Sequence, residues 1–173
     1  QQATFTGCTI SGTNGVEVKY TDLTLDNCTV KATVETPSYK QNNDGPAASG
    51  FAVVSTDNAM NGVTPAPAGT IIVKGENGNY TGPVGLGSLA SIKTDYPEFK
   101  DGGTFSSAIP YEYCAEGYIP EDKGDGTYGV KEGTYVAEVN GKQYETLQAA
   151  IDAAGRKQTV KLLKDTTENV TMA

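Results

Sequence analysis

An octapeptide written twice constrains this chain more than any other feature. Ala3-Thr4-Phe5-Thr6-Gly7-Cys8-Thr9-Ile10 is answered by Leu23-Thr24-Leu25-Asp26-Asn27-Cys28-Thr29-Val30, 20 residues apart at every position. Inside each copy apolar and polar residues alternate, as on a strand with one buried face, yet the inward phase slips by one residue. Phe5 is odd while Cys8 and Ile10 are even; Leu23 and Leu25 are odd while Cys28 and Val30 are even. A two-residue bend at Thr6-Gly7 and at Asp26-Asn27 accounts for the slip. Such a bend calls for positive φ, which Gly and Asn tolerate, so Gly7 and Asn27 are expected at equivalent corners. Val16, Val18 and Tyr20 form another even-phase strand, which places a second corner at Thr21-Asp22. The repeat therefore reads as strand 16–20, bend, strand 23–25, bend, strand 28–30.

A sequence period of this length belongs to stacked architectures, in which each copy buries its apolar face against the next. The residues just quoted resemble right-handed parallel β-helices of the pectin-lyase-like type, whose turns carry a tight two-residue bend often held by Asn. The resemblance spans 1–110 and implies an all-β, right-handed parallel β-helix (solenoid), saying more about fold than activity. Ala3-Thr4-Phe5-Thr6-Gly7, Gly78-Asn79-Tyr80-Thr81-Gly82 and Gly103-Thr104-Phe105-Ser106-Ser107 share one pattern of small, polar, aromatic, hydroxyl and small residues. Phe5, Tyr80 and Phe105 are accordingly expected as inward aromatics, one per coil and stacked, in four to five coils ending near Pro110. Residues 31–49 and 56–69 read as long loops thrown out from corners, where insertions leave the stacked strands intact. Gly50–Ser55 and Thr70–Lys74 resume strands.

Three cysteines leave at least one unpaired. Stacked parallel strands hold their Cβ vectors parallel about 4.8 Å apart, whereas a disulfide needs Cβ atoms converging to about 3.8 Å. Cys8 and Cys28 are expected as a buried ladder of free thiols. The 21 glycines and 8 prolines, with no Trp, favour an all-β class. A formal charge of −8 repels phosphate backbones and anionic lipid, which argues against nucleic-acid and membrane-surface partners. With no His, imidazole-based metal sites and nucleophiles are excluded. No apolar run approaches the roughly 20 residues of a membrane span. The opening Gln1-Gln2 suggests a processed product or a piece of something longer, whose open coil end more protein or another chain would cover.

Beyond Pro110 the character changes. Tyr118-Ile119-Pro120 and Thr127-Tyr128 flank a hairpin turned at Asp125-Gly126, so 111–133 reads as a hairpin and linker. Tyr135–Val139 and Lys142–Tyr144 flank Asn140-Gly141, a strong hairpin signal. Thr146 then caps a helix with apolar Leu147, Ala150, Ile151 and Ala154, stopped by Gly155, before a strand at Thr159–Leu163. Residues 134–173 thus form a small ββαβ unit. From Tyr118 through Val130, Val136–Gly141, Thr146–Ala154 and Val160–Asp165, the chain resembles junctions in large secreted or surface proteins of gut Gram-positive bacteria. There such a unit opens a following β-helical segment by capping its first coil. The resemblance implies an extracellular, cell-surface module, with adjacent modules of the same protein as partners. The apolar stripe of the helix further predicts that Leu147 and Ile151 pack on a β-helix end, in this chain or a neighbour, giving head-to-tail contacts.

The β-helical resemblance invites a search for polysaccharide chemistry, which needs clustered carboxylates or an Arg or Lys base. Asp22 and Asp26 sit at successive corners of one coil only, Asp95, Glu98 and Asp101 surround Tyr96-Pro97, and the single Arg is Arg156. No catalytic set and no cofactor is expected. Asp122 and Asp125 are weak candidates for a calcium loop, since the spacing lacks the alternating ligands of the known loop. Tyr39, Tyr96, Tyr111 and Tyr113 fall in loops, where a ring face can stack on a sugar. The expected role is a non-catalytic stalk or adhesin-like element; the alternative is a carbohydrate-binding or carbohydrate-cleaving β-helix, with a host or cell-wall glycan or a matrix protein as partner.

Overall fold

The computed structural model describes residues 2–18, 22–42, 45–56, 71–87, 98–100 and 103–172. The chain is mostly β and divides into two compact units, Gln1–Lys131 and Glu132–Ala173. In the first unit the chain makes repeated passes through the same three sheets. The first pass lays down β1 (Gln2–Thr6), β2 (Thr9–Gly12) and β3 (Val16–Val18). The second adds β4 (Asp22–Asp26) and β5 (Thr29–Ala32), then a hairpin of β6 (Ser38–Asn42) and β7 (Gly45–Ser49), then β8 (Val53–Thr56). The third adds β9 (Ile71–Lys74), β10 (Asn79–Thr81) and β11 (Val84–Gly87), and a fourth adds β12 (Glu98–Phe99) and β13 (Thr104–Phe105).

Strands of successive passes pair in parallel. The first sheet runs β1-β4-β9-β12, the second β2-β5-β10-β13, and the third β3-β8-β11. The 20-residue repeat sets the register directly: Ala3 faces Leu23, Phe5 faces Leu25 and Ile10 faces Val30. Gly7 at φ 62° and Asn27 at φ 51° make the expected bends. The bends themselves stack, Gly7 N donating to Asp26 O at 2.9 Å and Asn27 N to Lys74 O at 3.0 Å. Parallel pairing therefore continues round the corner, giving backbone groups at the bends partners on the next pass.

Apolar faces of all three sheets meet in one core, with Leu25 and Val73 from the first, Val30 and Tyr80 from the second, and Val53 and Val84 from the third. Complete burial of a Val, Leu or Phe side chain contributes about 1.5–3 kcal/mol, and successive rungs repeat that gain. After β13 the chain forms a single 3₁₀ turn at Tyr111–Tyr113. Phe99 and Cys114 then form a parallel bridge. β14 (Tyr118–Asp122) and β15 (Tyr128–Glu132) extend the second sheet beyond β13, Tyr128 pairing antiparallel with Phe105. Ile119 and Val130 are buried there. Lys123 Nζ ties the hairpin down, donating to Gly103 O at 2.6 Å and Thr104 Oγ1 at 3.2 Å.

Several expectations change. Phe5 does not share a column with Tyr80 and Phe105: it lies in the first sheet, in the column Phe5-Leu25-Val73-Phe99, while Tyr80 and Phe105 continue Ile10 and Val30 in the second. A five-residue pattern of small, aromatic and hydroxyl residues fits either side of a bend, so it cannot say which sheet holds the ring. Residues 31–49 contain a hairpin, its Tyr39 paired with Ala48. The resumed strand over 50–55 pairs in the third sheet with Val16 against Val53. The loop expected at 56–69, the corner residue Thr21 and Tyr20 lie outside the described residues, apart from Thr56 at the end of β8.

In the second unit β16 (Ala137–Val139), β17 (Lys142–Tyr144), α1 (Leu147–Ala153) and β18 (Val160–Leu162) form the expected ββαβ arrangement, with antiparallel order β17-β16-β18. Asn140 and Gly141 turn the hairpin at φ 50° and 82°, the positive pair that suits a two-residue loop. Thr146 caps the helix, its Oγ1 accepting from Ala149 N at 3.1 Å, and Glu168 accepts from Leu147 N with both carboxylate oxygens. Leu147 packs on Ala137, Val139 and Ala150 of its own unit. The helix ends at Ala154 in an extended conformation, and the positive φ falls at Lys157 rather than Gly155.

Candidate functional site, a hydroxyl-lined groove

Among the described residues, a groove of about 430 Å³ lies where three passes leave the second sheet. Its walls come from the end of β5 and the residues beyond it (Lys31–Glu35), from the end of β10 and the turn after it (Thr81–Pro83), and from Ser106-Ser107 after β13. The passes diverge here for a local reason. After β5 the chain departs toward the β6-β7 hairpin, whereas after β10 it turns at once through Gly82 (φ 114°), where a Cβ would approach Ala52 N to 2.9 Å. The gap between departing and turning chains is the groove.

Register aligns the side chains along it. Lys31 faces Thr81 across neighbouring strands, and Ser106 N donates to Tyr80 O at 3.0 Å, which puts Ser106 on the next rung. Lys31, Thr81 and Ser106 are exposed. Two hydroxyls already work within the fold: Ser106 Oγ accepts from Gly82 N at 2.8 Å, and Thr33 Oγ1 donates to Gly12 O at 3.1 Å. A hydroxyl both donates and accepts, so each retains capacity toward a ligand. Lys31 adds an ammonium and Glu35 a carboxylate to the lining. Sequence reasoning passed over these residues. The signal was present in Tyr80-Thr81 and Phe105-Ser106, 25 residues apart, where the hydroxyl after each buried ring must point outward.

The four tyrosines expected to bind sugar lie elsewhere or outside view. Tyr39 is half-buried on the β6-β7 hairpin, whose base Asn14 holds by donating to Ala48 O at 2.9 Å and accepting from Phe51 N at 3.3 Å. Tyr111 is exposed on the 3₁₀ turn, and Tyr113 packs against the core. Tyr96 lies outside the described residues, as do Asp95 and Asp101. None of the three described tyrosines lines the groove.

Of the carboxylates considered for catalysis or metal, Asp26, Glu98, Asp122 and Asp125 are engaged in turns and ion pairs, while Asp22 is exposed at the start of β4. Asp26 Oδ2 lies 3.3 Å from Lys74 Nζ, while its Oδ1 accepts from Asn27 Nδ2 at 2.8 Å. Glu98 pairs with Lys100 at 3.6 Å. Asp122 Oδ1 accepts from Gly124 N, and Asp125 Oδ1 from Thr127 N and Oγ1. The Thr127 bonds hold the Asp125 carboxyl below its ordinary range. Among the described residues no three or more His, Cys, Asp or Glu side chains gather as a metal group. No helix among them is long and apolar enough to cross a membrane.

All three cysteines are free. Cys28 is fully buried, its thiol donating to Phe5 O at 3.3 Å on the neighbouring rung; Cys8, on the outermost rung, is half-buried. Burial, with a smaller contribution from Glu112, pushes the Cys114 thiol up to about 12. Burial likewise raises the Tyr80 phenol above its ordinary range, aided by Cys28 and Asp26. Neither a protein-family model, nor a curated protein, nor a solved structure matches this chain.

Proposed function

We propose that the first unit is a right-handed parallel β-helix closed by a hairpin, and that the chain is a non-catalytic module of an extracellular bacterial surface protein. It acts as a rigid stalk or adhesin-like element, with the ββαβ unit opening a following module. The observation that carries this reading is the unbroken column register. Phe5, Leu25, Val73 and Phe99 follow one another across four passes in the first sheet, as Ile10, Val30, Tyr80 and Phe105 do in the second. Each rung is the template for the next, which is how a stacked fold gains length and stiffness by repetition. The likeness of the Tyr118–Val130 and Val136–Asp165 segments to surface-protein junctions supports an extracellular location.

The groove favours a second reading, in which the wall also binds a neutral glycan from a host surface or a cell wall. A glycan and matrix-protein binding screen of the purified chain, run with calcium and with chelator, separates the two. A pure stalk is silent in both conditions. A glycan-binding wall gives a signal that Thr81→Ala and Ser107→Ala weaken. Depolymerisation of a bound polysaccharide would contradict both readings.

A further inference from the structure

We propose that α1 is a clamp on the segment after β18: Gln148 and the first helical amide hold residues 166–171 extended, and helix and segment open as one unit. The segment belongs to no sheet and no helix, yet both backbone groups of Thr171 are bonded. Thr171 N donates to Gln148 Oε1 at 2.7 Å, and Gln148 Nε2 donates to Thr171 O at 3.0 Å. In an antiparallel sheet a residue exchanges this pair of bonds with the residue opposite on the next strand. Gln148 supplies both partners from one side chain.

The carboxamide is itself fixed. Its Nε2 also donates to Asp152 Oδ1 at 2.7 Å, one helical turn on, so both amide hydrogens are committed and the group presents one orientation to the segment. A second tie lies three residues earlier. Glu168 accepts from Leu147 N with both carboxylate oxygens, at 3.1 and 2.9 Å. Thr166 closes a turn on it, its Oγ1 donating to Glu168 Oε1 at 3.2 Å and accepting from Glu168 N at 3.3 Å. Between the ties Val170 is half-buried while Asn169 and Thr171 are exposed, the alternation of a strand with one covered face.

Helix and segment need each other. α1 has seven residues, well short of the roughly 12–15 at which a helix alone is even marginal in water. Its first turn holds no acidic residue: the position three after the Thr146 cap is Ala149, where a capping box carries Glu or Gln. Glu168 answers that need from 21 residues along the chain. The segment in turn has no strand ladder of its own and takes its order from the two side chains. Each tie places the residues that the other requires, so the two act as a coupled pair.

Residue-resolved amide hydrogen exchange of the full chain tests this. The Leu147 and Thr171 amides are expected to be protected together. Glu168→Ala leaves both Thr171 bonds in place, yet it should speed Thr171 exchange about tenfold, because losing a hydrogen bond to a charged group frees the whole segment. Gln148→Ala should speed Leu147 likewise, and the double variant should add little to either single change. Val136 and Leu163, whose amides donate to Tyr144 O and Val136 O within the unit, should keep their rates. If Glu168→Ala accelerates those two as well, Thr166→Ala serves, since it loosens Glu168 from outside the helix and should speed Thr171 in the same way. A Thr171 amide that exchanges as fast as an unfolded chain, Glu168 and Thr166 variants that speed Leu147 but not Thr171, or effects that simply add in the double variant would overturn the proposal.

Discussion

The ring of Tyr80 lies flat on that of Phe105, with centroids 4.7 Å apart and planes 9° from parallel. The two residues are direct partners in the parallel pairing of β10 with β13, so register stacks the rings. Phe99 meets Phe105 edge-on at 5.5 Å from the first sheet, joining two walls through aromatic contact. Tyr80 is 1 % exposed, yet its hydroxyl finds no hydrogen-bond partner among the described residues.

That hydroxyl yields the first prediction. Removing an unsatisfied buried polar group recovers about 1–3 kcal/mol of desolvation, so Tyr80→Phe is expected to preserve or raise stability. Tyr80→Ala, which removes the ring, should cost about 3–5 kcal/mol. Urea denaturation of both variants checks the pair. A Tyr80→Phe loss as large as the Ala loss would contradict the burial geometry.

The corner glycines should separate by what lies beside them. At Gly75 (φ 97°) a Cβ would come within 2.5 Å of the Asn27 side chain, whereas at Gly7 (φ 62°) it would meet nothing within 4 Å. Asn27 cannot withdraw freely, because its Oδ1 accepts from Asn77 N at 3.0 Å. Gly7→Ala is therefore expected to cost only the left-handed strain of about 1–2 kcal/mol, and Gly75→Ala clearly more. Equal losses in thermal unfolding would show that stacking at Asn27 carries no weight.

Alkaline stability follows from Cys114 and Tyr80. Both hold their protons more tightly folded than unfolded, so their contribution is complete below the unfolded values and is lost as pH rises through the folded ones. For Cys114 that window runs from 9.0 to about 12. Each group limits the decline to about 1.4 kcal/mol per pH unit. Cys114→Ala should flatten the fall above pH 9, and thiol alkylation at pH 8 should label Cys8 before Cys28 or Cys114. Faster labelling of Cys28 would contradict its place inside the stack.

Two small anchors close the second unit and the hairpin. Thr146→Ala removes the cap on Ala149 N and is expected to destabilise the ββαβ unit by about 1 kcal/mol. Lys123→Met removes the ties to Gly103 and Thr104 and should speed amide exchange of Tyr128 and Val130, while exchange at Leu25 stays unchanged.

The sequence makes the stacking visible where two copies are close in length. Cys8 and Cys28, Gly7 and Asn27 fix period, bends and register without other help, and Asn140-Gly141 fixes the second-unit turn. It conceals whatever an insertion separates. The next partner of Leu25 is Val73, and that of Val30 is Tyr80, because the excursion after Ala32 sets the third pass far along the chain. The groove stayed hidden for the same reason, since Thr33, Thr81 and Ser107 become neighbours only once the register across those excursions is known. The column of Phe5 is not legible in the sequence, because alternation reports which way a side chain points and not which sheet it belongs to.

We propose that the three sheets of the first unit, parallel across successive passes, form one stacked body. Native-state hydrogen exchange of backbone amides, followed residue by residue in increasing urea, tests it most directly. The expected result is that Leu25, Val30, Val53, Val73 and Tyr80, drawn from all three sheets, converge on one slow, cooperative opening. Separate opening energies for the three sheets, with Leu25 and Val73 exchanging independently of Val30 and Tyr80, would contradict it.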